Sequence, residues 1–219
     1  KYSDEGNGGG DFIHGRLTAV ATAGGPLGEY WPYDKIYTIN VLLTSIDEGS
    51  LPEETRNRIK AQALFLRAYQ YFEMVKIYGG VPLILAPQDR HSDDLYVTRN
   101  SAKECIDQIV TDLDAAAASL PSVWGENDFG RITKGAAMAF KGRVLLTYAS
   151  KQFNPNNDRT RWQTAYNACA AAQKELSDNG QRALHPIYKE IWSKETTSET
   201  VLTTRFLDPV RTHNFMAGL

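Results

Sequence analysis

RNRIKAQALFLRAYQYFEMVKIYGGVPLILAP, residues 56–87, decides the architecture. Ile59, Ala63 and Leu66 lie on one helical line, and Leu64, Ala68, Tyr71, Val75 and Tyr78 lie on another. Apolar residues recurring at three- and four-residue steps define one face of a helix, so two such stripes imply two packing partners. Pro52 followed by Glu53 and Glu54 opens this helix, with the acids where the helix dipole favours them. It stops at Gly79-Gly80 and turns through Val81-Pro82 into a short extended stretch expected over residues 81–85.

Working outward, the same periodicity recurs on both sides. Ile36, Ile39, Leu43 and Ile46 predict an earlier helix closed by Gly49. Downstream, Ser101 and Glu104 form a capping box ahead of Ile106, Ile109, Leu113, Ala116 and Leu120, and Pro121 ends that helix. The loop SVWGENDFG leads into a helix over residues 131–151 that is apolar all round. FNPNNDRT is a turn before a fifth helix, where Trp162, Ala165, Cys169, Ala172 and Leu176 step by three and four. Asn179-Gly180 reads as a left-handed stop, and TVLTTRF, residues 200–206, alternates and is β-branched, which predicts one strand. Trp162 and Trp192 fit core patterns or element starts.

The chain also echoes itself. KAQALFLRA from Lys60 aligns with KGAAMAFKG from Lys134, an offset of 134 − 60 = 74. Ala63 falls on Ala137, Leu66 on Phe140, Arg67 on Lys141 and Ala68 on Gly142. A one-striped helix precedes each, which is the logic of tetratricopeptide helix pairs, although two unrelated alanine-rich core helices would give the same pattern. The expected fold is therefore mainly α: tetratricopeptide-like hairpins of five or more helices, long loops and a short β element near the C-terminal end. Residues 1–30 read as an irregular Gly-rich segment, 31–185 as the helical domain, and 186–219 as the start of a further loop and β region.

Composition narrows the function classes. The 219 residues are 42% hydrophobic and carry a net charge of −2, which argues against nucleic-acid binding. Cys105 and Cys169 sit on helical patterns and read as buried free thiols rather than a disulfide framework or a zinc site. No apolar run approaches a membrane span, and the polar opening KYSDE is no signal peptide; the chain is expected to be a piece of a longer polypeptide. His14, His91, His185 and His213 are scattered, and no metalloprotease, nucleophile-elbow or phosphate-loop motif is present. No catalytic residue, metal or cofactor is expected. The oxygen-rich stretch 154–158 reads as turn and cap rather than a calcium loop.

Four blocks carry a resemblance: ALFLRAYQYFEMVKIYGGVPLIL, SAKECIDQIVTDLDAAAASLP, GRITKGAAMAFKGRVLLTYASKQFNP and RWQTAYNACAAAQKEL. In this order and spacing the chain resembles the SusD/RagB family, with Tyr78 to Pro82 and Gly130 to Lys134 specific as a pair. IYKEIWSKETTSETVLTTRF resembles the family's passage into a β-rich region. The resemblance implies a nutrient-binding lipoprotein of the Bacteroidota outer membrane, the N-terminal half of a longer chain. Such a protein serves polysaccharide utilisation as a surface lid over a SusC-like TonB-dependent transporter, capturing oligosaccharides without chemistry, or peptides in the RagB-like branch. Its membrane attachment would be a lipid on a cysteine outside this chain. A plain tetratricopeptide scaffold for protein partners is the remaining alternative.

Sugar binding needs flat aromatic faces and a few placed polar groups. Tyr30-Trp31-Pro32-Tyr33-Asp34 fits best, at the exit of the Gly-rich segment into the first helix; were that helix already begun, Trp31 and Asp34 would share a face. Arg16 is a third member, and Trp124, in a polar loop, either contacts ligand or transporter or folds back over the helix ends. Arg67 and Lys141 read as structural.

Overall fold

The computed structural model describes residues 30–89, 91, 95–194 and 196–203. The chain divides into two compact units, Lys1–Tyr33 and Asp34–Leu219. In the first, only residues 30–33 are described, so Arg16 and most of the Gly-rich segment lie outside the described residues.

The second unit is helical. α1 (Tyr33–Ser45) begins at the unit boundary and is followed by a 3-10 turn, Ile46–Glu48. Then come α2 (Glu53–Tyr78), α3 (Ala102–Ser119), α4 (Lys134–Ala149), α5 (Arg159–Asp178) and the short α6 (Tyr188–Ser193). These are six α-helices, with no strand among the described residues. Each long helix packs on the next: α2 on α3, α3 on α4, α4 on α5.

Helix α2 has the two partners its stripes predict. Ala61, Ala68, Tyr71, Phe72, Met74 and Val75 are buried, and α3 is its main neighbour. The second partner is α4, through Phe140, whose ring lies 5.4 Å from Phe65, 5.6 Å from Tyr69 and 5.4 Å from Phe72. Leu66, expected on a buried stripe, is 43% exposed, and its neighbour Phe65 is buried instead. Burying a large apolar side chain contributes about 1.5–3 kcal/mol, so the tyrosine, phenylalanines and methionine of this helix are its anchor.

Small residues set the approach of α4 to α5. A Cβ on Gly135 would lie 2.5 Å from Leu176 Cδ2, and one on Gly142 would lie 2.8 Å from Cys169 Sγ. Three helix starts carry side-chain caps, two of them where the sequence predicts; the third, Thr133, starts α4 at Lys134 rather than at residue 131. Ser101 and Glu104 complete a reciprocal capping box, Thr133 Oγ1 accepts from Ala136 N at 3.1 Å, and Asp158 Oδ1 accepts from Thr160 N at 2.9 Å. Asn154 is buried; it donates to Asp158 O at 3.0 Å and accepts from Asp158 N at 2.8 Å, so its stretch is turn and cap.

Residues 81–85 lie in a loop, as expected, and Asn100 ties them down: its N donates to Val81 O at 3.2 Å and its Oδ1 accepts from Leu83 N at 3.0 Å. Gly80 is required there, because a Cβ would lie 1.9 Å from Asn100 O. Several expectations are corrected. The left-handed residue after α5 is Gln181, at φ 54°, not Asn179 or Gly180. Only Cys105 of the two thiols is buried, and burial pushes its pKa up; Cys169 is exposed. Trp162 and Trp192 are exposed, so the core alternative falls for both, while Trp162 does stand at an element start, in the first turn of α5; its indole N–H donates to Asn157 Oδ1 at 3.0 Å. Of the strand expected over 200–206, residues 200–203 are irregular and the rest lies outside the described residues.

Candidate functional site

The aromatic segment at the end of the first unit has an open face. Trp31 is 51% exposed, while Pro32 is buried and Tyr30 and Tyr33 are half-buried. The Trp31 and Tyr33 rings lie 5.0 Å apart at 54°, and Tyr33 N donates to Trp31 O at 2.9 Å, which fixes the turn. Helix α1 starts at Tyr33, so Trp31 precedes the helix and the shared-face argument with Asp34 does not apply. Asp34 belongs to the second unit, exposed in the first turn of α1. Its backbone carbonyl accepts from Thr38 Oγ1 at 3.0 Å.

Trp124 is half-buried and turned inward, its indole N–H donating to Ile132 O at 2.8 Å. Guanidiniums of Arg58 and Arg131 sit 5.6 Å and 5.9 Å from its ring centroid. Each is paired with an acid, Arg58 with Glu54 and Arg131 with Asp128. The ring thus spends its π-face on cations that are already neutralised, an arrangement that closes a loop over helix ends. It is a poorer sugar platform than Trp31.

Sequence reasoning missed a buried polar network. Arg67 on α2 forms a two-pronged pair with Asp112 on α3, Nε to Oδ2 at 2.7 Å and Nη2 to Oδ1 at 2.8 Å. Arg67 Nη1 also donates to Asn40 Oδ1 at 3.0 Å and to Leu85 O at 3.3 Å. Asn40 Nδ2 donates to Ile84 O at 2.9 Å. The Tyr71 hydroxyl donates to Ile84 O at 2.9 Å and accepts from Ile84 N at 2.8 Å; burial pushes its pKa up to about 12, so it stays a neutral donor. Three side chains, Asn40, Arg67 and Tyr71, thereby fix the backbone at Ile84 and Leu85, with Asp112 holding Arg67 in place. The loop they hold continues to Pro87, Gln88 and Asp89, which with exposed Tyr37 of α1 line an open groove of about 590 Å³. An aromatic ring, an amide and a carboxylate share that groove. The signal was visible: Asn40 sits four residues after Ile36 on the buried face of α1, where a polar residue needs a partner.

No cluster of three or more His, Cys, Asp or Glu able to hold a metal ion occurs among the described residues, and His14 and His213 lie outside them. No described helix is long and apolar enough to cross a membrane.

Comparison with known proteins bears on this arrangement. Residues 20–146 match the SusD-like family model, described as starch-binding and associating with the outer membrane. The SusD-like protein P38 of Formosa agariphila is 26% identical over 172 residues, covering 71% of this chain and 32% of that protein. Among solved structures, a SusD-like protein of Bacteroides fragilis superposes with a TM-score of 0.63 at 32% identity, over 75% of this chain and 30% of its own. A laminarin-binding SusD-like protein superposes with a TM-score of 0.66 at 27% identity, over 79% of this chain and 36% of its own. The chain spans about a third of the length of these relatives.

Proposed function

The chain belongs to the SusD-like family, and from that premise we propose that it is part of a cell-surface glycan-binding protein. In this reading it hands oligosaccharides to a SusC-like TonB-dependent transporter in the outer membrane, anchored by a lipid carried outside these residues, and catalyses nothing itself. The family match over residues 20–146 carries the reading, because it takes in Trp31, Asp34 and the whole of α2. The exposed Trp31 supports it physically, as a flat apolar face with Tyr33 behind it is what a pyranose ring stacks on. Tyr30, Trp31 and Asp34 are the ligand-contacting candidates, with Trp124 and Arg16 behind them.

The helices serve as scaffold in this reading. We read α2–α3 and α4–α5 as two tetratricopeptide-type pairs, each echoing helix packing on the helix that follows it rather than pairing with the one-striped helix before it, supported by those packings, by the offset of 74 residues and by the equivalent buried small residues Ala63 and Ala137. Residues 31–185 then form the helical domain, 1–30 lead into it, and 186–219 begin a further region.

Calorimetry of the complete protein against starch, laminarin and other polysaccharides tests the function. Binding to at least one glycan is expected, with Trp31→Ala lowering affinity about tenfold or more, the loss of one stacked ring. Peptides co-purifying with the protein, together with no glycan binding, would overturn it.

A further inference from the structure

A small cavity of the second unit gathers hydrogen-bond donors. About 50 Å³ in volume, it is lined by Trp124 and Arg131 of the loop before α4, by Thr133 at the α4 cap, by Arg182 after α5, and by Thr196 and Thr200 after α6. Each wall is built locally. The Trp124 indole N–H is engaged by Ile132 O at 2.8 Å, which fixes the ring as a side of the cavity. Arg131 Nε donates to Asp128 Oδ1 at 2.6 Å and leaves the other guanidinium N–H groups to give. Thr133 Oγ1 already accepts from Ala136 N at 3.1 Å, so what it has left to offer is its O–H. Arg182 follows the left-handed Gln181, and its amide donates to Leu176 O at 2.9 Å, which pins the backbone under this guanidinium to the end of α5.

We propose that this cavity seats the carboxylate or sulfate group of an acidic glycan, held by the Arg131 and Arg182 guanidiniums and the threonine hydroxyls; the inference rests on the glycan-binding reading above. Charge selects an anion. The acids of this corner are already engaged: Asp128 by Arg131, Glu175 by Ser122, Asn179 and Lys134, and Glu199 by the His185 amide at 3.1 Å. Arg182 has no acid partner among the described residues and is the surplus cation. Guanidinium forks match the oxygens of carboxylate and sulfate better than they match a neutral hydroxyl. Size selects a pendant group. One water needs roughly 10–15 Å³ of cavity, so about 50 Å³ takes a group of a few heavy atoms and leaves the pyranose ring that bears it outside. Trp124, with Arg58 and Arg131 already at its ring, bounds the seat and does not stack on the sugar. A seat of this kind discriminates against neutral glycans, which would leave its cations unanswered.

Calorimetry of the complete protein at about 0.15 M ionic strength tests this, with polygalacturonate carrying carboxylates, dextran sulfate carrying sulfates, and uncharged dextran and sodium sulfate beside them. At least one acidic polymer is expected to bind about tenfold or more tighter than dextran. Arg182→Gln, which breaks no ion pair among the described residues, is expected to lower that affinity about tenfold or more, the worth of one charge-assisted contact. Lys189→Gln removes an exposed cation that lies outside the cavity and is expected to change affinity by less than about twofold. Should Arg182→Gln fail to fold, Arg182→Lys keeps the charge without the fork, and a loss of about threefold or more is expected from it. Acidic-polymer binding that ignores the Arg182 variants, or that falls equally with Lys189→Gln, overturns the proposal, since net charge alone would then explain it. Binding of sodium sulfate without any acidic polymer marks an adventitious ion only and also overturns it. Binding of uncharged polysaccharides alone overturns the acidic seat and leaves the glycan reading standing, whereas no polysaccharide binding overturns both.

Discussion

Arg67 and Lys141 occupy the same position in two helices that echo each other, and both reach an aspartate of α3. Their surroundings differ. The Arg67 and Asp112 side chains are 8% and 3% exposed, and each has further hydrogen bonds, to Asn40, Leu85 and Gln108. The Lys141 and Asp114 side chains are 26% and 56% exposed, and among the described residues their polar contacts are to each other alone, at 2.6 Å and 2.8 Å. Arginine's planar fork suits a dry, many-partnered site and lysine's point charge suits a wet one. One repeat position can therefore hold a structural keystone in one copy and a surface tether in the other.

The largest effect is expected from breaking the buried member. Arg67→Ala leaves the buried Asp112 carboxylate without its cation and with the Gln108 amide as its remaining side-chain donor, which costs about 3–5 kcal/mol. Urea denaturation should show a lower midpoint with an unchanged slope. A double replacement, Arg67→Met with Asp112→Leu, should recover much of the loss, because an apolar pair of similar volume removes both desolvation penalties. It would not restore the hydrogen bonds to Asn40 and Leu85, so faster amide exchange in the 83–89 loop should persist in the double variant. If Arg67→Ala cost no more than a surface pair, the contrast would collapse.

A third α-helical charge sits between these extremes. Glu175 on α5 is buried and ties down the loop before α4: its carboxylate accepts from Ser122 Oγ and from Asn179 Nδ2 and lies 3.5 Å from Lys134 Nζ. Those donors, the Ser122 hydroxyl first, hold its pKa below the ordinary glutamate value. A depressed acid stabilises the fold above its unfolded pKa and loses that contribution as pH falls through the folded value. Stability should therefore be flat above about pH 5 and decline as pH drops below about 4. Glu175→Gln should cost about 1–2 kcal/mol at neutral pH, the worth of charge-assisted hydrogen bonds, and flatten the acid limb of a melting-temperature profile.

These contrasts mark how far the sequence could be read. Helix existence was legible because periodicity, caps and breakers agree: α3 carries its capping box and buries Ile106, Ile109, Leu113 and Ala116 as spaced. What periodicity cannot say is whether a stripe is covered. Leu66 and Trp162 lie on good helical stripes and are exposed, because cover depends on which helices pack against a stripe, a tertiary fact. The polar network was legible in half. Asn40 and Asp112 sit within buried stripes and so demand partners, but their meeting at Arg67 is a tertiary fact. At the candidate site the aromatic run was plain in sequence, yet the turn that leaves Trp31 outside the helix depends on the Tyr33 amide bond to Trp31. Trp124, in a loop of the same character, went the other way because Ile132 offers its indole an acceptor.

The smallest effect is expected at Lys141. Its partner Asp114 is more than half exposed, so Coulomb attraction is screened and both side chains give up rotamer freedom to meet. Lys141→Ala should cost about 0–1 kcal/mol, and 0.5 M salt should shrink even that. Lys141→Arg is the sharper probe. If burial rather than residue type separates the two copies, arginine here changes stability by no more than a few tenths of a kcal/mol, because a fork without a second acceptor has nothing further to bind. A gain above about 1 kcal/mol would mean that α3 presents a second bidentate seat at Asp114, and the asymmetry between the copies would then reside in the cation rather than in the site.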